Sequence, residues 1–239
     1  MAERKRQQDI FNEVYGDVEK AKRVRSSPIR MFYEGRTLEF GIRGLDTARC
    51  NCLDLGCGRG VFTQLLVDRF RHVVASDFAE KAVMTAKKVF PEKRINFLSS
   101  DAVSLPVKDQ SFDFIVIKDF IHHLTDPEKV MQEIHRVMRP GGYLISVEPN
   151  NRNLLSQIVG RMMRHERKFV ENSPSTLMRF ISRFGFRKVH TVCENFYVPY
   201  GPFYKLPLRI LPYLQVFEDM MGRIFPSGGG HFIACYQKV

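Results

Sequence analysis

The stretch Asp54-Leu55-Gly56-Cys57-Gly58-Arg59-Gly60 is the part of this chain best suited to gripping a ligand. Glycines let the main chain turn tightly and let a bound group approach it closely. A dinucleotide-binding turn also uses glycines, but in the spacing GxGxxG. An acid two residues before the first glycine suits a ligand with a cationic amino group better than a pyrophosphate. Asp77 lies 23 residues after Asp54, at the end of the next apolar run. An acid there accepts hydrogen bonds from ribose hydroxyls. Asp101-Ala102 follows the third run, where its loop would reach the same crevice.

These residues need a scaffold that brings strand ends to one edge. From Cys50 onward short apolar runs alternate with helical patterns. The runs are Asn51–Leu55, His72–Ser76, Ile95–Leu98, Phe114–Ile117 and Tyr143–Val147. Helices start from Val61, Glu80 and Pro127, and Pro140-Gly141-Gly142 stops the last of them. This alternation predicts βαβ units and a parallel sheet. Ligands of such open sheets bind at the carboxyl ends of the strands. Residues 1–49 read as two polar helical stretches, Arg4 to Lys22 and Ile29 to Phe40, separated by Ser27-Pro28. Past Asn150 the pattern is less regular. A helix opens at Ser173-Pro174 and closes at Gly185, a strand follows over Phe186–Tyr197, and His231–Gln237 reads as a final strand. Between them lies a segment, 198–227, rich in Pro and aromatics, with an apolar helical stretch over Leu206–Ile224.

The chain has 239 residues, 44% of them apolar. That length suits one domain with an elaboration and is enough for a full α/β core. No run approaches the roughly 20 apolar residues that cross a bilayer. MAERKRQQD has basic residues but no apolar stretch behind it, so a signal peptide is not expected. Five cysteines without a CxxC pair point to reduced thiols and a cytoplasmic location. The net charge is +11 and uneven: residues 50–150 balance, while 151–239 hold 13 Lys and Arg against 5 Asp and Glu. Such a bias points to an anionic acceptor, a membrane surface or nucleic acid, or to a solvated basic surface.

Five segments together resemble one family: DLGCGRG (54–60), SDFAEKAV (76–83), SSDAVSLP (99–106), SFDFIVIKDFIHHLTDP (111–127) and RVMRPGGYLISVEPN (136–150). In order and spacing they are similar to class I S-adenosylmethionine-dependent methyltransferases, more narrowly the small-molecule enzymes of ubiquinone and menaquinone biosynthesis. The resemblance covers roughly residues 50–150. It implies a Rossmann-like α/β fold: a seven-stranded, mainly parallel sheet of order 3-2-1-4-5-7-6, its last strand antiparallel, with helices on both faces. It implies a single domain, with 1–49 as a helical cap, 50–150 as the cofactor core, and 151–239 carrying a lid-like insertion at 198–227. S-adenosylmethionine is the implied cofactor and S-adenosylhomocysteine the product; no metal is implied. By the resemblance Asp54 holds the methionine amino group, and Gly56, Cys57 and Gly58 line the methionine and ribose portion. Asp77 takes the ribose diol and Phe78 packs on the adenine. Asp101 and the Ala102 amide meet the adenine edge, and Lys118 and Asp119 lie beside the transferred methyl. Tyr15 and Phe32-Tyr33 are candidates to close over the cofactor.

Methyl transfer from a sulfonium is an in-line displacement in which positioning dominates. A hydroxyl acceptor also needs a base for its proton, and histidine suits that role near neutral pH. His122 and His123 follow the fourth strand, and Glu148 ends the fifth, so the three are catalytic candidates. The insertion, with Tyr197, Tyr200, Phe203, Tyr204, Tyr213, Phe217, Met220, Met221 and Phe225 beside Lys205, Arg209 and Arg223, suits an apolar, lipid-like acceptor or a membrane surface. Three other readings stay open. Nucleic-acid methylation is disfavoured because Lys118-Asp119-Phe120-Ile121 lacks the Asn/Asp-Pro-Pro-Tyr/Phe pattern of adenine methylases. A cofactor-binding but inactive partner of another methyltransferase and an NAD-linked oxidoreductase are the remaining two. The oligomeric state is not legible.

Overall fold

Runs of β-branched and aromatic residues that are buried on both faces set the architecture. The computed structural model describes residues 2–92, 94–162, 173–195 and 208–239. Three helices come first: α1 (Ala2–Tyr15), α2 (Val18–Arg25) and α3 (Pro28–Gly41). Strands and helices then alternate through β1 (Asn51–Leu55), α4 (Thr63–Val67), β2 (His72–Asp77), α5 (Glu80–Val89), β3 (Ile95–Ser99), β4 (Phe112–Lys118), α6 (Pro127–Val137) and β5 (Met138–Pro149). The last part holds α7 (Leu154–Met162), α8 (Pro174–Ser182), β6 (Phe186–Glu194), α9 (Leu211–Ile224) and β7 (His231–Lys238). The strands form one seven-stranded sheet of order β3-β2-β1-β4-β5-β7-β6. Neighbours from β3 to β5 pair in parallel, and β7 runs antiparallel to both β5 and β6. Order and directions are those implied by the resemblance.

Strand periodicity distributes the core between two layers. Ile115 and Ile117 of β4 join Leu53, Leu55, Met131, Ile134, Leu177 and Tyr236 on one face. Phe114 and Val116 join Cys52, Val73, Leu66, Phe70, Ala21 and Leu38 on the other. Ala21 lies on α2 and Leu38 on α3, so these two helices belong to the second layer, while Phe11 of α1 packs apart with Ala79 and Ala82. The fit there is close: a Cβ on Gly41 of α3 would meet Ile145 at 2.7 Å. All five cysteines are free. Among the described residues no helix is long and apolar enough to cross a membrane.

Local chemistry moves several boundaries. The expected helix over Arg4–Lys22 is two helices. Asp17 sits in extended backbone and its side chain accepts from Lys20 N at 2.9 Å, so it starts α2 afresh. Helix α6 stops at Val137, three residues before Pro140, because Met138 already pairs with Phe112 and opens β5. Gly141, at φ +76°, lies inside that strand, next to a register shift between Phe112 and Phe114. Helix α7 had no clear sequence pattern. Strand β6 ends at Glu194, and Asn195 turns the chain at φ +63°. Of the insertion, residues 198–207 lie outside the described residues, with Tyr200, Phe203, Tyr204 and Lys205; so does Tyr197.

Candidate active site

The glycine turn is moulded by main-chain bonds to the neighbouring strand. Gly56 N and Cys57 N both donate to Ser76 O, at 2.8 and 3.0 Å. Gly56, Gly58 and Gly60 all take positive φ, at +82°, +51° and +74°. The Asp77 carboxylate, at the end of β2, accepts from Gly58 N through Oδ2 and from Ala79 N through Oδ1, both at 2.8 Å. One acid thus holds both the turn and the residue that precedes α5. Burial raises its pKa, with these bonds opposing.

Asp54 lies beneath the turn, only 2% exposed. Among the described residues, the Thr63 hydroxyl donates to its Oδ2 at 2.5 Å. Burial pushes the Asp54 carboxyl up to about 7; the Thr63 bond pulls down and the charge of Asp77 adds to the rise. A carboxyl in this state gains from a cation. In the unfolded chain the same carboxyl ionises near its ordinary value of 3.8. Between that pH and about 7 the folded state holds the extra proton, so folding weakens as pH rises through this window. Asp54→Asn is therefore expected to stabilise the ligand-free protein at pH 8 by about 1–3 kcal/mol. The gain should shrink toward pH 5, which thermal melts at the two pH values check.

These groups open into a cleft of about 1320 Å³. Asp54, Gly56, Cys57, Gly58, Asp77, Phe78, Asp101, Ala102 and Lys118 all line it. The Cys57 thiol is buried and held far above its ordinary range, so it is inert, and the residue offers its main chain. Asp101 bends its own loop, accepting from Val103 N at 3.1 Å. Helix α1 forms the roof. Gln7 donates to His123 O and Gln8 to Phe78 O, which ties the helix to both walls. Phe11 meets Phe78 and His123 edge-on, stacks on Tyr15, and Arg59 lies over the Tyr15 ring at 5.2 Å. Tyr15 lines the cleft; Tyr33 does not, since its hydroxyl donates to Glu218 at 3.0 Å. Phe32 stands edge-on to Tyr33, outside the lining.

The two histidines part ways. His123 lines the cleft. His122 is 3% exposed, and its Nδ1 lies 2.5 Å from Glu148 Oε2. Oε1 of Glu148 accepts from Phe120 N and Ile121 N at 3.0 and 2.8 Å. His122 and Glu148 thus sit behind the β4 loop, lining a separate small cavity with Pro174 and Phe232. Glu148 fixes the loop that presents His123.

A half-buried charge cluster, not foreseen as a unit, closes the far end of the cleft. Glu34 of α3 pairs with Arg30 at 2.5 Å and with Lys118 at 3.6 Å, and Lys118 pairs with Asp119 at 2.5 Å. His231 of β7 approaches Asp119 at 3.7 Å. Burial alone would raise both acids, but Arg30 and Lys118 outweigh it at Glu34, and Lys118 and His231 outweigh it at Asp119. Both therefore stay ionised. Burial lowers His231, against the pull of Asp119. Asp119 holds φ +50°, with its N–H on Val147 O, a costly backbone that points to a demanding position. Among the described residues no cluster of His, Cys, Asp and Glu could hold a metal ion.

Residues 53–146 match a family model described as a methyltransferase domain. The demethylmenaquinone methyltransferase of Lactococcus lactis is 32% identical over 155 residues, which cover 62% of this chain and 60% of the relative. That of Clavibacter sepedonicus is 34% identical over 97 residues, 40% of each chain. The chain thus spans about half the length of these relatives. A SAM-dependent methyltransferase from Aquifex aeolicus superimposes with a TM-score of 0.64 at 20% identity, covering 93% of this chain and 99% of that one. One from Archaeoglobus fulgidus gives 0.60 at 23%, covering 87% and 94%. At that identity the likeness is one of fold.

Proposed function

We infer that this chain is a class I methyltransferase that uses S-adenosylmethionine to methylate a quinone-like small molecule on oxygen or carbon, a reading the matched domain and the sheet order support. One observation carries the reading: the glycine turn, Asp54 and Asp77 meet in one cleft, where a buried carboxyl near neutrality faces the space. The cleft fits the cofactor on structural grounds. A Cβ on Gly58 would touch only Tyr15, at 3.9 Å or more, so the main chain there is open to a ligand. When bound, the cofactor supplies an electrophilic methyl on a sulfonium.

The protein's own groups then divide the work. Asp54 accepts from the amino group of the methionine portion and is drawn to its charged form by that cation. Gly56, Cys57 and Gly58 present main chain to the methionine and ribose portion. Asp77 has two oxygens for the ribose diol. Phe78, Asp101 and Ala102 hold the adenine, and Lys118 stands at the methionine end, its charge spent on Glu34 and Asp119. His123 takes the acceptor's hydroxyl proton, while His122 and Glu148 position its loop. The names of the relatives support a quinone-like acceptor, and we place the enzyme as a single domain in the cytoplasm, with peripheral contact to a membrane.

Calorimetry and labelled methyl transfer test the reading together. S-adenosylhomocysteine should bind and NAD should not, and a prenylated naphthoquinol should accept the methyl. His123→Ala should lower turnover by about a hundredfold, the usual scale for a lost base, with S-adenosylhomocysteine affinity unchanged. Tight NAD binding would overturn the cofactor; binding without transfer would favour a non-catalytic partner. A variant as fast as wild type would remove His123 as the base.

A further inference from the structure

Helix α9 is mounted with its apolar side outward. A surface helix ordinarily buries its apolar stripe and exposes its charges. Here Glu218 is 0% exposed and accepts from the Tyr33 hydroxyl, while Tyr213 and Val216 are 75% and 68% exposed. Phe217, Met220 and Ile224 continue the stripe at helical spacing, and Phe225 extends it past the last turn; all four are exposed. The helix is held to the protein by its polar side: besides the Glu218 bond, Asp219 pairs with Arg36 of α3 at 3.0 Å.

We propose that this outward face docks on an anionic lipid bilayer. The geometry is that of an interfacial helix, which lies in the headgroup plane with its apolar side down. Charge selects the kind of surface. Glu218 is buried on the Tyr33 hydroxyl and the half-exposed Asp219 is paired with Arg36, so neither acid of α9 lies on the apolar stripe. Exposed Arg209 and Arg223 flank the stripe at its two ends, and residues 151–239 hold 13 Lys and Arg against 5 Asp and Glu. A second copy of this chain would bring the same positive field to the same patch, which disfavours self-association. Helix α3, which carries Arg36, also sends Arg30 and Glu34 into the cleft. The docking face and the far end of the cleft therefore share one support. This inference is independent of the acceptor's identity.

Vesicle flotation of the full chain tests it. Wild type should float with phosphatidylcholine vesicles containing phosphatidylglycerol, and weakly or not at all with pure phosphatidylcholine. Val216→Glu with Met220→Glu should weaken binding by at least about tenfold, from the lost apolar burial. Arg209→Glu with Arg223→Glu should abolish the preference for anionic vesicles. The melting temperature and S-adenosylhomocysteine affinity of these variants should match wild type. If the first pair unfolds the protein, Val216→Ser with Met220→Ser serves in its place. Absence of flotation with anionic vesicles, or flotation unaffected by the apolar substitutions, overturns the proposal. So does a dimer in solution that those substitutions convert to monomer, which would make a second copy the occupant.

Discussion

Asp77→Ala should weaken S-adenosylhomocysteine binding by about a hundredfold or more. Two contributions add. The two carboxylate oxygens are the acceptors we assign to the ribose hydroxyls, and charge-assisted bonds of this kind are worth about 1.5–3 kcal/mol each. The same oxygens hold Gly58 N and Ala79 N at 2.8 Å, so their loss also slackens the turn that offers its main chain to the ligand. A combined loss of about 3–5 kcal/mol corresponds to roughly two to four decades in Kd. Asp77→Asn separates the two: the amide oxygen can still accept from one main-chain N–H, so the turn is better preserved while the charge is gone. It should fall between wild type and the alanine variant. Calorimetric titration reads all three, and an alanine variant that binds as wild type does would end the ribose assignment.

Gly56→Ala should cost both stability and ligand affinity. At φ +82° a side chain is strained by about 1–2 kcal/mol. The added Cβ would also lie 2.3 Å from Cδ2 of Phe120, and such overpacking adds about 1–3 kcal/mol. Phe120 has little freedom to retreat, because its amide is pinned to Glu148, and swinging its ring aside would push it into the cleft. Gly44→Ala is the control: φ is +75° there, yet nothing lies within 4 Å of the new Cβ, so only the backbone strain applies. For a protein of this size the Gly56 variant should melt about 5–15 °C lower. The Gly44 variant should lose only a few degrees and bind S-adenosylhomocysteine normally. Equal melting temperatures for the two would show that contact with Phe120 carries no cost.

The parts legible in the sequence are those governed by local rules. Phe114 to Ile117 announces a strand buried on both faces. Parallel order then carries Asp54, Asp77 and Asp101 to one edge without any knowledge of contacts. Other features depend on distant partners or single bonds. The break at Gly16-Asp17 interrupts an otherwise continuous helical pattern, and it rests on two local details: Gly16 packs so close that a Cβ would meet Asn12 O at 2.5 Å, and the Asp17 side chain caps α2. His122 and His123 are adjacent in a one-turn 3-10 helix, their ring centroids 3.9 Å apart, yet one meets Glu148 and the other lines the cleft. No spacing rule separates them. Glu34 was missed because its partner, Lys118, lies 84 residues away. The available signal was an acid amid the apolar residues Met31, Phe32 and Leu38, four residues after Arg30. A buried acid flanked in that way requires compensation from elsewhere in the fold.

The segment matched by the methyltransferase-domain model, residues 53–146, does not hold the whole charge cluster. Glu34 and His231 both fall outside it. Excised or grafted into another scaffold, that stretch would keep Lys118 and Asp119 but lose the two neighbours that complete their balance. It would also lose Phe11 and Tyr15, the aromatic covering over its glycine turn. The glycine turn and its acids lie within the matched segment, and the far end of the cleft is completed by the flanks. A change confined to the flanks would therefore reshape that far end while leaving the glycine turn as it is.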